Sequence, residues 1–459
     1  MNDLARSVEL LLDHVAGFQY AGLPISAKEA ARRVFFDTLG VIAGARQQPI
    51  ALKLSEYLRL SSEPGASTAI CASRRVSTAT AAFANGSISH DLELDDIHQG
   101  TSLHVAAVLV PVAVAIGEET DAGADDLFLA LIRGYEISCR LARSLDHEKL
   151  FAAGFHPTTV CGVIGASAVA ASLLNLSPAL FRQTVYLAMS LSSGTMACKS
   201  EPDHYAKSFQ CGVAARNGVI AAQLAHSGIK LDGHLCAAFS GTAHAYTGTS
   251  PDCSALIADL GQHYEITLTS HKIYPCCRCI HPLLDALENI RRKATIVPAN
   301  VKSMKLSLYK RGAISVDDHV LRTHNARYAM AMALQRGVLT RELFTEDVRM
   351  EEVMPLMERI ELFADEELQK EWPEKYPGIV TIHSHDGKRY TERVDYPRGT
   401  PENPIGTDEL RDKFLMVTTP VIGRDRGVEA ARLLLMRDFK VREVTSVLTG
   451  RSTEDERSH

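Results

Sequence analysis

The sequence predicts a mainly α protein, with a large all-helical domain, a smaller α+β domain and a return to helix at the end. Three observations predict it. Apolar residues recur at helical spacing through the first ~260 residues. From residue 267 the pattern changes: NVKSMKLSLYK (300–310), RIELFAD and GIVTIHS alternate polar and apolar residues, as half-buried strands do. Past the turn-rich PRGTPENPIG (397–406), DELRDKFLMVTTPVI and RGVEAARLLLMRDF are helical again. The predicted domains are residues 1–266 plus 400–459 (helical) and residues 267–399 (α+β).

In chain order, Ser26-Ala27-Lys28-Glu29 reads as a capping box. The helix it would start repeats Ala30, Val34, Phe35, Leu39 and Ile42 on one face. VAAVLVPVAVAIG (105–117) is too short to span a membrane and contains Pro111, so it predicts a helix buried all round. Pro178 suits the first turn of ALFRQTVYLAMSL. ATAAFANG, GVIGASAVAASLL and CGVAARNGVIAAQLA carry small residues at three- and four-residue spacing, which lets helix axes approach closely. NARYAMAMALQRG predicts a helix among the strands. GIVTIHSHDGKRYTERVDY predicts a hairpin turning at Asp386-Gly387. The polar tail GRSTEDERSH is expected to fray.

Composition narrows the function classes. The chain has 459 residues, 46% hydrophobic and 23% charged, enough for a large core and more than one domain. Its net charge is −6, from 49 basic and 55 acidic side chains, and no basic run of five or more occurs, which argues against nucleic acid as a partner. Acids interrupt the apolar N-terminal face, so no secretory signal is read. Ten cysteines are too sparse for a disulfide scaffold. The expectation is a cytoplasmic protein with reduced thiols.

Four segments concentrate reactive side chains. ANGSISHDLELDDIHQGTSLH (84–104) holds His90, Asp91, Glu93, Asp95, Asp96, His98 and His104 between two apolar helices. That places a polar cluster at a pocket wall or, on the simpler reading, at a solvated helix end; imidazoles and carboxylates at this density could also hold a metal. GFHPTT sets His156 before Pro157 at a helix entry, where it could simply cap. YAKSFQCG sets Lys207 before a glycine-rich helix, where anions bind but where a lysine can also snorkel. HKIYPCCRCIH (271–281) holds three cysteines in four positions. No second C-x-x-C completes a zinc site, and the βαβ context of a redox pair is missing, so buried structural thiols are the plain reading. Lys272 and His281, a cation and an imidazole held by one turn, suit a carboxylate substrate.

The segments AFANGSISHDLELDD, GFHPTT, KSFQCGVAARNG, KIYPCCRCIHPLLDAL and NARYAMAMALQRG, in this order over nearly the whole chain, resemble the MmgE/PrpD family of 2-methylcitrate dehydratases, cis-aconitate decarboxylases and iminodisuccinate epimerases. The resemblance implies a helical domain with a smaller α+β lid domain, a homodimer, a small carboxylic acid as substrate, and no cofactor or metal. Carried over, its site residues are His104, His156, Lys207, Lys272, His281 and Tyr328. This chain departs from the pattern at Glu93-Leu94-Asp95-Asp96, at Ile97, at Val105 after His104, and at Cys277, where decarboxylases have histidine. These changes bear on the substrate and argue against cis-aconitate decarboxylation.

The expected reaction is a cofactor-independent lyase reaction, dehydration of a 2-methylcitrate-like acid. His104 and His156 would serve as acid and base with Tyr328 as a donor, Glu93 or Asp95 would orient an imidazole, and Lys207, Lys272, His281 and Cys277 would meet the substrate. The alternatives are an epimerase, isomerase or decarboxylase of a related acid, a metal-dependent hydrolase using the 90–104 cluster, and a ligand-binding protein without turnover.

Overall fold

Proline and small residues decide where the helices begin and how near they lie. The computed structural model describes residues 3–201, 205–231, 233–345 and 347–450; most of the polar tail lies outside them. In chain order the helices are α1 (Asp3–Ala16), α2 (Ile25–Gly44), α3 (Pro49–Ser61), α4 (Thr78–Ile88), α5 (Val105–Thr120) and α6 (Ala124–Ser144). Then come α7 (His147–Ala152), α8 (Pro157–Leu173), α9 (Pro178–Ser190), α10 (Tyr205–His226), α11 (Leu235–Thr247) and α12 (Cys253–Ile257). After these follow α13 (His281–Lys293), α14 (Lys310–Val316), α15 (Ala326–Arg336), α16 (Met354–Met357) and α17 (Glu366–Gln369), and α18 (Thr407–Ile422), α19 (Arg424–Leu435) and α20 (Val441–Thr449) close the chain. The chain divides into two compact units, residues 1–269 with 406–459, and residues 270–405.

In the first unit α5 is the buried spine, with every residue from Val105 to Glu118 out of solvent. Small residues set the helix spacing. A Cβ on Gly86 of α4 would sit 2.9 Å from Gly212 Cα of α10, and one on Gly218 would sit 2.5 Å from Ala166 Cβ of α8. Glycine therefore draws α10 against both α4 and α8. The closing helices pack on α2, where the Phe414 and Phe36 ring centroids are 4.8 Å apart. The expected Ser26 cap is corrected: α2 begins at Ile25, and Pro24 is its N-cap without a side-chain bond. Helical bonding already begins at the Lys28 amide, which bonds the Pro24 carbonyl at 3.3 Å. The short antiparallel ribbon of β1 (Ser67–Ala69) and β2 (Arg74–Val76) also breaks the helical run. Two-residue strands β3 (Ile97–His98) and β4 (Thr269–Ser270) follow later in the chain.

The second unit is built on a four-stranded sheet of β5 (Val301–Tyr309), β6 (Ile360–Asp365), β7 (Gly378–Ser384) and β8 (Arg389–Val394), in the order β6-β5-β7-β8. The hairpin β7–β8 is antiparallel and turns at Asp386-Gly387, with Gly387 at φ 83°, which glycine adopts without a Cβ penalty. The β5–β6 pair is parallel, so the chain between them crosses over through α14 and α15. Leu283 and Leu287 of α13, Met330 and Leu334 of α15, and Leu306, Val380 and Ile382 of the sheet share one core. Among the described residues no helix is long and apolar enough to cross a membrane.

Candidate active site

The loop from α4 to α5 takes charge into the protein interior. His90, Glu93, Asp95, Asp96 and His98 are all buried, and His104 keeps 13% of its side chain exposed. Burying ions is costly unless they are paired, and the pairs are specific. Glu93 sits at φ 53°, a left-handed conformation that costs a non-glycine residue roughly 1–2 kcal/mol. Its carboxylate lies 3.4 Å from Lys207 Nζ and 3.6 Å from His90 Nε2. Lys207 lies in the first turn of α10 and reaches Glu93 because α10 and α4 meet at their glycines.

One carboxylate oxygen serves two imidazoles. Asp95 Oδ2 lies 2.5 Å from His90 Nδ1 and 2.8 Å from His104 Nδ1, and the two rings meet edge to face with centroids 4.5 Å apart. His104 Nδ1 is also 2.7 Å from the Asp96 carbonyl oxygen. A carbonyl only accepts, so this nitrogen carries the proton. In its neutral form the His104 ring has its lone pair on Nε2. Asp96 itself accepts from the Ala106 amide at 3.0 Å and from the Tyr135 hydroxyl at 2.7 Å. Burial, with the Asp95 charge beside it, pushes the Asp96 carboxyl up to about 7. Lys413 pins the loop from the closing helices, its Nζ 2.7 Å from the Leu94 carbonyl and 2.6 Å from Asp37.

His156 occupies the N-cap position of α8 but makes no capping bond with its ring. Its amide donates to Gly194 at 3.0 Å, and its Nδ1 lies 3.1 Å from Gln210 Oε1. The Gln210 amide nitrogen donates to the Thr195 carbonyl at 2.6 Å, which leaves Oε1 to accept from Nδ1–H. Burial, followed by the charges of Lys207, His90 and His104, holds the ring well below the usual imidazole range. His156 is therefore neutral at pH 7, with its lone pair on Nε2. The first unit thus joins five of the expected residues, Glu93, Asp95, His104, His156 and Lys207, through contacts and shared charge. It adds His90 and Asp96, which the 84–104 cluster contains but to which the sequence assigns no role, and Tyr135 and Gln210, which the sequence does not single out. Gln210 carried one signal: it stands three residues after Lys207 on one helix, so both share a face. His98 belongs elsewhere. Its Nδ1 meets Thr101 at 2.8 Å and its Nε2 meets the Glu265 carboxylate at 3.2 Å, within a network that Arg140 and Arg143 complete.

Family models for the MmgE/PrpD N-terminal domain and the MmgE/PrpD C-terminal domain match residues 9–253 and 274–435. The chain belongs to the MmgE/PrpD family. Relatives of this MmgE/PrpD chain include the cis-aconitate decarboxylase of Aspergillus terreus (strain NIH 2624 / FGSC A1156), 24% identical over 93% of this chain and 92% of the relative. The Homo sapiens cis-aconitate decarboxylase is 24% identical over 95% and 92%, and that of Mus musculus 26% over 93% and 90%.

In the second unit of the MmgE/PrpD chain Lys272 is fully buried. Cys277 is half-buried, and its amide donates to the Thr323 carbonyl at 2.8 Å. His281, the first residue of α13, has Nδ1 3.0 Å from an Arg278 guanidinium nitrogen and Nε2 3.4 Å from the Cys276 carbonyl. A guanidinium only donates, so His281 Nδ1 accepts, and the proton sits on Nε2. This ring is the opposite tautomer to His104 and His156. Tyr328 lies in the core of the second unit, and its hydroxyl donates to the Leu343 carbonyl at 2.6 Å.

Among the described residues, two groups bring metal-type donors within 4.8 Å of one another: His90, Asp95 and His104, and His98, Cys139 and Glu265. In the first, both Nδ1 atoms already donate to the carboxylate that would share the ion. In the second, Arg140 and Arg143 neutralise Glu265, and burial with the Glu265 charge holds the Cys139 thiol well above its usual range. The Nδ1 protons held by Asp95 and the guanidinium groups held by Glu265 compete with a cation for these donors.

Proposed function

We propose that this chain is a lyase acting on a small tricarboxylic acid, with His104 and His156 transferring the proton and Lys207 holding a carboxylate. The observation that carries the proposal is the neutral His156 ring, aimed by Gln210 and depressed by burial and the Lys207 charge. Removing a proton beside a carboxylate needs a base that is unprotonated near neutral pH, and the His156 imidazole with its Nε2 lone pair meets that need. The negative charge that builds on the substrate needs fixed cations, and Lys207 supplies one at the N-terminal turn of α10. From the second unit, Lys272 and His281 keep the carboxylate-binding role that the resemblance implies; Tyr328 and Cys277 keep theirs as donor and contact. A homodimer in the cytoplasm belongs to the same proposal.

Dehydration of a 2-methylcitrate-like acid is the first reading of the reaction, because Cys277 stands where decarboxylases of the family have histidine. The relatives' name favours a second, decarboxylation of cis-aconitate. Incubation with a panel of di- and tricarboxylates, read by mass spectrometry, separates them: loss of water supports the first, loss of carbon dioxide the second. No turnover of any acid would remove the lyase reading.

A further inference from the structure

The proposed proton transfers leave the Cys276-Cys277-Arg278-Cys279 turn with most of its chemistry unused. Cys276 is fully buried, whereas Cys277 and Cys279 are both half-buried. The Tyr309 hydroxyl lies 3.2 Å from Cys279 Sγ and donates to it. Tyr309 is itself locked, stacked on Trp372 with centroids 6.0 Å apart and edge-on to Tyr376. The Cys277 thiol donates to the same sulfur, and the Arg311 and Arg278 guanidinium groups add positive charge beside it. Arg278 cannot turn away, because the Pro397 and Arg398 carbonyls and His281 hold its guanidinium. A sulfur that accepts from a hydroxyl and a thiol under two cations is arranged as a thiolate. The hydrogen bonds from Cys277 and Tyr309, with the charges of Arg311 and Arg278, outweigh burial and lower the Cys279 thiol to about 7.

We infer that Cys279 is a reactive thiol and that Cys277 resolves its oxidation, making this turn a peroxide-sensitive dithiol. The Cys279 thiolate attacks one oxygen of a hydroperoxide, the O–O bond breaks, and a sulfenic acid and hydroxide form. The Cys277 sulfur then attacks the sulfenic sulfur, its proton leaves with the hydroxyl as water, and a disulfide joins the two cysteines. Reach permits the bond: two residues span at most about 7 Å when extended, and the 3-10 turn from Arg278 shortens that toward the span of a disulfide.

Trypsin gives a direct readout, because Arg278 lies between the two cysteines. After the reduced full-length protein is treated with hydrogen peroxide and its remaining thiols are blocked, the peptides of residues 273–278 and 279–291 should appear linked. Cys277→Ser should abolish the link and leave a sulfenic acid on Cys279 that dimedone traps. Cys279→Ser should abolish both. In the unmodified protein at pH 7, iodoacetamide should label Cys279 roughly tenfold faster than the half-buried Cys253, whose thiol is raised by burial. This rate comparison needs no variant to fold. Labelling of Cys279 no faster than Cys253, or linked peptides that persist in Cys277→Ser, would overturn the inference, and neither readout depends on the lyase reaction.

Discussion

Gln210 Oε1 accepts from His156 Nδ1 at 3.1 Å while the Gln210 amide nitrogen is spent on Thr195. This fixes which ring nitrogen of His156 is free for chemistry. His156→Ala should lower turnover by ~10²–10⁴-fold with the fold intact by circular dichroism. Full activity in that variant would reject the assignment.

The same pair predicts a pH dependence. His156 is depressed in the folded state, so its base form is lost only as pH falls well below 6.5. Gln210→Glu would place an anion on Nδ1–H and raise the His156 value. The acidic limb of the kcat/KM profile should therefore move to higher pH. Gln210→Met, which removes the acceptor without adding charge, should lower kcat without that upward move. An unshifted limb in Gln210→Glu would exclude Gln210 as the partner that positions the base.

Asp95 Oδ2 binds His90 and His104 together, so its loss should disturb both rings. Asp95→Asn keeps the shape but offers one oxygen and one donor in place of a carboxylate. Turnover should fall by about 10²-fold or more, as when an orienting carboxylate fails to hold its imidazole. Kinetics on the variant, with crystallography to check the ring positions, test this.

Stability against pH should report Asp96. Its folded value, about 7, is above that of an unfolded aspartate, so the native state holds a proton that the unfolded chain has released. Between about pH 4 and 7 this group makes stability fall as pH rises. Asp96→Asn, neutral throughout, should flatten the stability curve in that window. Equal slopes for the two proteins in urea unfolding would show that Asp96 is ionised at ordinary cost.

Lys413 and Asp37 form a buried pair that also holds the Leu94 carbonyl. Lys413→Ala should remove the buried cation that Asp37 faces, a loss of about 3–5 kcal/mol by denaturant melts. The double variant Lys413→Met with Asp37→Leu should recover most of it. A single variant within about 0.5 kcal/mol of the parent would mean that water replaces the lysine.

The helices, the sheet hairpin at Asp386-Gly387 and the buried α5 were legible because apolar period, proline and glycine are local signals. The Ser26 cap was misread because Pro24 sets the helix start one residue before it. His104, His156 and Lys207 stood out by residue type and placement. Four partners did not. Lys413 and Asp37 are separated by most of the chain, Tyr135 reads as a core aromatic on α6, and Gln210 shows its part only once its amide orientation is fixed by Thr195. His98 looked equivalent to His90 in sequence, yet one faces the Glu265 network and the other Asp95.

The imidazoles of the first unit are proposed to transfer a proton on a tricarboxylate. Parallel incubation of the parent protein and His156→Ala with cis-aconitate, citrate and 2-methylcitrate, followed by mass spectrometry, tests it most directly. The parent should convert at least one acid with loss of water or carbon dioxide, and the variant should do so ~10²–10⁴-fold more slowly. Conversion at equal rates by the two proteins, or by neither, would contradict it.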